Sequence, residues 1–186
     1  MTNVFPSLRL AGCLAALALA SACAQAPSTY FAPQAASGKP LPMQHRDGAS
    51  FATDGAYQLS AGPATVDLEI DADAAGRATG LFLRVHVPAG STAGFATDSL
   101  ALTRDGATTR VTLPFGLSRQ PFDDSAAAAP SLTPGVRSWK ANVALAQLDA
   151  HVYVVQLPDL VVDGVAHPLP AVRFTATRGW AWYPSA

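Results

Sequence analysis

The sequence contains few charged residues and few of the residues that favour helices. Glu69 is the only glutamate among 186 residues, and Lys39 and Lys140 are the only lysines. The formal net charge is −1, which excludes a protein that binds nucleic acid mainly through a basic surface. Proline and glycine, 15 and 14 in number, are spread along the chain. This composition predicts short strands and turns rather than helices.

Cysteine is nearly absent, and both cysteines, Cys13 and Cys23, lie close to the N-terminus. Residues 1–22 have the order of a secretory signal: Arg9, then an apolar run from Leu10 to Ala20, then small residues. The apolar run is about half of the roughly 20 residues that a membrane-spanning helix needs. We therefore predict a cleaved signal peptide rather than a transmembrane anchor.

The end of this signal is more specific than an ordinary cleavage site. The segment Leu19-Ala20-Ser21-Ala22-Cys23 resembles the lipobox of bacterial lipoproteins, and the resemblance covers only the signal. It implies cleavage just before Cys23 and a diacylglyceryl group on the Cys23 thiol. Ala20 departs from the family pattern, which prefers leucine there. Ala24 stands where an aspartate would imply retention in the inner membrane, so the resemblance implies an outer-membrane location.

A second match, Leu10-Ala11-Gly12-Cys13, is closer to the family's consensus letters. It follows Arg9 directly, so no apolar core precedes it, and its use would leave Leu14 to Ala20 on the mature protein. We therefore predict lipidation at Cys23, with a plain secreted protein as the alternative. A lipid there would occupy the last cysteine, which excludes a disulfide, a cysteine metal site and a thiol nucleophile.

Residues 23–49 are predicted to be a flexible tether, because no period of 2 or 3.6 is sustained. Within this segment Tyr30 and Phe31 could pack against the folded part. The tether is interrupted by Pro33, Gly38, Pro40 and Pro42. Residues 50–186 are predicted to form one domain, which is long enough to bury a core.

The domain shows the pattern of short antiparallel strands. Apolar residues alternate with polar ones from Val66 to Ala72, and again from Leu81 to Val87. Asp105-Gly106 lies between two alternating runs, which predicts a hairpin. Eight or nine such strands predict an all-β fold, an antiparallel β-sandwich that is loosely immunoglobulin-like, with a small β-barrel as the alternative.

The first alternating strand carries four carboxylates on one face. Asp67, Glu69, Asp71 and Asp73 would follow one another at about 6.6–6.8 Å. Two such carboxylates could serve a glycoside hydrolase, or they could bind Ca²⁺, although the third ligand of a calcium loop is missing. We interpret the strand as a solvated face that protects against aggregation, and a periplasmic hydrolase that uses it is the alternative.

Large aromatic residues gather near the C-terminus. Trp180, Trp182 and Tyr183, with Trp139, could form a platform for a sugar or a protein partner, and Trp180 and Trp182 would share a strand face. The preferred interpretation is that these aromatic residues cap one end of the sandwich core.

Other chemistry has weaker support in the sequence. The histidines His45, His86, His151 and His167 have no metal-binding spacing, although Met43 and His45 could form a soft pair for copper. No Gly-x-Ser-x-Gly or Ser-x-x-Lys motif is present, and we predict no cofactor and no catalytic residue. The favoured hypothesis is a lipid-anchored, periplasm-facing module that binds or assembles with another envelope protein or glycan. A metal-binding envelope protein is a further alternative.

Overall fold

The structure, a computed structural model, describes residues 23–42, 50–51, 55–73, 75–114, 116–118, 120–123 and 134–184. Throughout this part of the chain the regular structure is β. The strands are β1 (Cys23–Ala35), β2 (Lys39–Leu41), β3 (Ser50–Phe51), β4 (Ala56–Ala61), β5 (Ala64–Ala72), β6 (Ala78–Pro88), β7 (Ala93–Phe95), β8 (Ser99–Arg104), β9 (Ala107–Thr112), β10 (Val136–Leu148), β11 (Val152–Gln156), β12 (Leu160–Val162), β13 (Val165–His167) and β14 (Val172–Pro184).

The strands form three antiparallel sheets. The first sheet has the order β1-β14-β11-β8-β9, and β3 pairs with the last part of β14. The second sheet has the order β10-β6-β5-β4-β2, and the third has the order β13-β12-β7. None of these sheets closes into a barrel among the described strands, so the sandwich prediction is confirmed over the barrel alternative.

One hydrophobic core lies between the first and second sheets. The second sheet contributes alternate residues of β5 and β6, such as Leu68 and Leu83, which are fully buried. The first sheet contributes Phe31, Tyr153 and Phe174. The rings of Phe31 and Tyr153 meet edge to face, with centroids 5.4 Å apart. The alternation predicted from the sequence therefore gives the inner face of the second sheet.

Two hairpins turn on Asp-Gly pairs. Asp105 and Gly106 have φ of 48° and 83°, and Asp163 and Gly164 have φ of 50° and 80°. Positive φ at both central residues defines the primed turn that matches the strand twist. The hairpin predicted at Asp105-Gly106 is confirmed, and β8 and β9 flank it.

Residues 23–41 differ from the predicted tether, because β1 pairs with β14 over 13 residues, from Cys23 opposite Pro184 to Ala35 opposite Val172. Pro27 and Pro33 are six residues apart, so their nitrogens face the same side of the strand. Because β1 lies at the sheet edge, one of its two sides does not need N–H donors. The prolines that suggested a tether are therefore compatible with an edge strand. Residues 43–49 lie outside the described part.

We expect Phe31→Ala to lower the free energy of unfolding by about 3–5 kcal/mol, because it removes a buried ring from the shared core. Val165→Ala is the matched control, since Val165 is 59% exposed, and its effect should stay within about 0.5 kcal/mol. Urea unfolding measures both. Equal midpoints for the two variants would mean that β1 does not belong to the cooperative fold.

Candidate functional site

The four carboxylates of the acidic strand have different environments. Asp67 and Glu69 are 7% and 2% exposed, so the interpretation as a solvated face is wrong for these two residues. Asp67 and Glu69 nevertheless point away from the core, as predicted. Val66, Leu68 and Ile70, which alternate with them along β5, are buried in the core.

Asp73 closes the turn between β5 and β6. Its carboxylate accepts hydrogen bonds from the backbone N–H groups of Ala75 and Arg77, both at 2.9 Å, and pairs with the Arg77 guanidinium at 2.7 Å. The backbone N–H of Arg77 is the main cause that lowers the pKa of Asp73, and the Arg77 side chain adds to it. Asp73 therefore stabilises a turn and is not part of a four-carboxylate site.

Asp67 belongs instead to a row of hydrogen-bonded side chains that crosses four strands. Gln58 Nε2 donates to Asp67 Oδ1 at 2.7 Å. Asp67 Oδ2 lies 3.0 Å from His86 Nε2, and His86 Nδ1 lies 2.8 Å from Ser138 Oγ. We call Gln58, Asp67, His86 and Ser138 the polar row.

Strand register brings the polar row together. Gln58 on β4 lies directly opposite Asp67 on β5, and His86 on β6 lies directly opposite Ser138 on β10. His86 is opposite Thr65, so it reaches Asp67 along the diagonal to the next outward residue of β5. Side chains that are directly opposite or diagonal on one face are within contact distance.

The chemistry of the carboxylate sets the direction of the hydrogen bonds. An ionised Asp67 can only accept, so it accepts from Gln58 and from His86 Nε2–H. The other ring nitrogen of a neutral His86 then accepts from the Ser138 hydroxyl. This is the order of a hydroxyl, a base and a group that orients the base. Ser138 is only 3% exposed, and the His86 side chain is 26% exposed, so the imidazole is the better exposed of the two.

Two cations lie beside the polar row on the same face. Arg84 on β6 is directly opposite Lys140 on β10, and we call them the cation pair. The Arg84 guanidinium lies over the Phe82 ring, 5.4 Å from its centroid, and Arg84 Nε is buried without a hydrogen-bond partner. Lys140 is exposed. Desolvation, followed by the positive charge of Arg84, lowers the pKa of Lys140.

The aromatic residues predicted as a platform are only partly described. Trp139 is buried in the core, where its ring lies 5.3 Å from that of Phe122, as the capping interpretation predicts for it. The backbones of Trp180, Trp182 and Tyr183 pair with Pro27, Gln25 and Ala24, and their side chains lie outside the described part. The side chain of Cys23 also lies outside it.

The described residues contain neither a metal-binding cluster nor a membrane-spanning helix. No group of three or more His, Cys, Asp or Glu side chains there is arranged to hold a metal ion. Met43 and His45 lie outside the described residues, so the copper hypothesis stays a prediction. The part of the chain that the structure describes also has no helix long and apolar enough to span a membrane.

Comparisons of the chain with protein-family models, with curated proteins and with solved structures found no match. Sequence reasoning missed Gln58, Ser138 and the link of His86 to Asp67. Strand alternation does place His86 and Arg84 on the outward face of β6, but the register of β6 against β5 and β10 is needed to find their partners.

We expect Asp67→Asn to lower the free energy of unfolding by about 1–3 kcal/mol. The amide removes the charge that strengthens the hydrogen bonds from Gln58 and His86, and His86 would have to change tautomer to accept from the new NH2 group. Asp105→Asn is the matched control, because Asp105 is exposed and asparagine also tolerates positive φ. Urea unfolding at neutral pH compares the two variants. A loss no larger than that of Asp105→Asn would contradict a stabilising role for the polar row.

Proposed function

We propose that this chain is a lipid-anchored protein of the bacterial cell envelope that faces the periplasm and serves as a non-catalytic binding or assembly module. The lipobox-like segment that ends at Cys23 supports the anchor, and the absence of aspartate at Ala24 favours the outer membrane. The outer face of the second sheet supports the binding role, because the cation pair lies there beside the hydrogen-bonded polar row. Another envelope protein or a glycan is the partner class.

The observation that carries the binding role is the set of hydrogen bonds along the polar row of this face. Each member of the polar row is hydrogen-bonded to the next, and a satisfied buried network holds its side chains in one geometry. A face that is ordered before binding loses less conformational entropy when a partner arrives. Arg84 and Lys140 beside the row supply the charge that a partner would recognise.

The anchor would act close to the folded domain. Cys23 is the first residue of β1, so a lipid on its thiol would be attached where the edge strand begins. Two or more acyl chains give stable membrane attachment. The sandwich would then lie next to the lipid headgroups, and its partner would be a component of that layer.

We expect Cys23→Ala to release the protein into the soluble periplasmic fraction, because it removes the thiol that would carry the lipid. Cys13→Ala is the matched control and should leave the protein in the membrane fraction, since Cys13 would leave with the signal. Fractionation of cells followed by immunoblotting measures both. Retention of the Cys23→Ala protein after a salt wash, or release of the Cys13→Ala protein, would overturn the anchor assignment.

One observation favours the alternative, a periplasmic hydrolase. Ser138, His86 and Asp67 are hydrogen-bonded in the order that activates a serine hydroxyl. Against it, Ser138 is 3% exposed and lies within β10, where its backbone pairs with His86. A substrate carbonyl would need room beside Oγ, together with donors for the developing oxyanion. These positions favour a structural role for the hydroxyl.

We therefore expect a fluorophosphonate probe to leave the protein unlabelled, because the probe must reach the hydroxyl of an activated serine. The measurement is gel fluorescence of the purified full chain beside a known serine hydrolase. Ser138→Ala is the matched variant and should give the same background. Labelling of the wild-type chain that disappears in Ser138→Ala would establish the hydrolase alternative instead.

A further inference from the structure

The cation pair sets two positive charges side by side, whereas the side chains of the neighbouring polar row are hydrogen-bonded to one another. Arg84 and Lys140 lie directly opposite each other on β6 and β10, and like charges in this arrangement destabilise a sheet. Among the described residues neither side chain makes an ion pair, although Arg77, Arg104 and His86 do.

The acidic neighbours of Arg84, Asp67 and Glu69, lie on β5 and make no ion pair with it among the described residues. Asp67 lies directly opposite Arg84 on the other side, in the register of β5 against β6. Both of its oxygens are engaged, Oδ1 by Gln58 and Oδ2 by His86. Glu69 is 2% exposed and has a contact of its own. Since β6 separates β5 from β10, both carboxylates lie on the side of Arg84 that is away from Lys140.

The Arg84 guanidinium has a fixed position, and one of its N–H groups has no hydrogen-bond acceptor. The guanidinium lies over the Phe82 ring, an arrangement that favours a cation electrostatically. Its buried Nε–H has no acceptor, which is a cost to the folded state. A guanidinium held over a ring, on the strand position opposite an exposed lysine, offers two neighbouring cations to an oxyanion.

We propose that Arg84 and Lys140 bind a phosphate group at the junction of β6 and β10, with the exposed edge of His86 beside it. A phosphate monoester carries about −1.5 to −2 charges at neutral pH, which matches two opposed cations better than a single carboxylate does. Arginine binds phosphate oxygens through its planar fork, and lysine acts as a point charge. The inference names the ligand chemistry of the proposed binding module and depends on that function only for its biological setting.

The test uses the full chain with Cys23→Ala, so that no lipid on the protein contributes to binding. Titration calorimetry with inorganic phosphate, against chloride at equal ionic strength, should give saturable binding with one site. Lys140→Gln and Arg84→Gln should each weaken this binding by about tenfold or more. Arg110→Gln is the matched control and should bind like the parent, because Arg110 is exposed on β9 of the first sheet.

Lys140→Gln is the decisive variant, because Lys140 is exposed. Its replacement should leave the circular dichroism spectrum unchanged and should not lower the thermal midpoint, since it removes one of two opposed like charges. No saturable binding of phosphate, or equal affinity in the parent and Lys140→Gln chains, would overturn the proposal. Either failure would leave the Cys23 anchor standing, since fractionation measures that property separately.

Vesicles distinguish the two sources of the phosphate group. Phosphatidic acid presents a phosphate monoester at the membrane surface, whereas phosphatidylcholine does not. Flotation with phosphatidic acid vesicles that depends on Lys140, and that free phosphate competes away, would identify a lipid headgroup as the source. Phosphate binding by calorimetry without such flotation would identify a soluble phosphate compound. Both results support the site and differ only in where its ligand is found.

Discussion

Burial of one face of the second sheet determines what lies on its other face. Alternate residues of β5 and β6, including Val66, Leu68, Leu83 and Val85, are fully buried. A slip of one residue would move all of them to the outer face, so the core fixes the register. That register sets Asp67 opposite Arg84 and brings the other members of the polar row alongside. The candidate site is therefore a consequence of the core and cannot shift independently of it.

Local signals predicted much of the sandwich. The alternation around Leu68 and Leu83 and the Asp105-Gly106 hairpin depend only on neighbours in the sequence. β1 could not be predicted in this way, since Pro27 and Pro33 are acceptable only because β1 lies at the sheet edge. The contacts of the polar row join residues 9, 19 and 52 positions apart. Finding them requires the strand order β4-β5-β6-β10, which no short segment specifies.

The pairing of β1 with β14 brings the two ends of the described chain together. Cys23 lies opposite Pro184, and Trp182 and Tyr183 lie opposite Gln25 and Ala24. The predicted anchor and the predicted aromatic platform are therefore adjacent backbone segments of one sheet. A lipid on Cys23, as proposed above, would therefore be attached beside the last residues of β14.

The polar row and the cation pair differ in whether their polar groups find partners within the protein. The row satisfies its buried donors and acceptors within the protein, so it can be maintained for stability and specificity alone. The pair sets two like charges opposite each other and leaves the buried Arg84 Nε–H without an acceptor. Unfavourable features of this kind, such as opposed like charges or a buried donor without an acceptor, are expected mainly at functional sites. This contrast on a single sheet face is the physical reason for proposing that a ligand binds at Arg84 and Lys140 and not at the Ser138 hydroxyl.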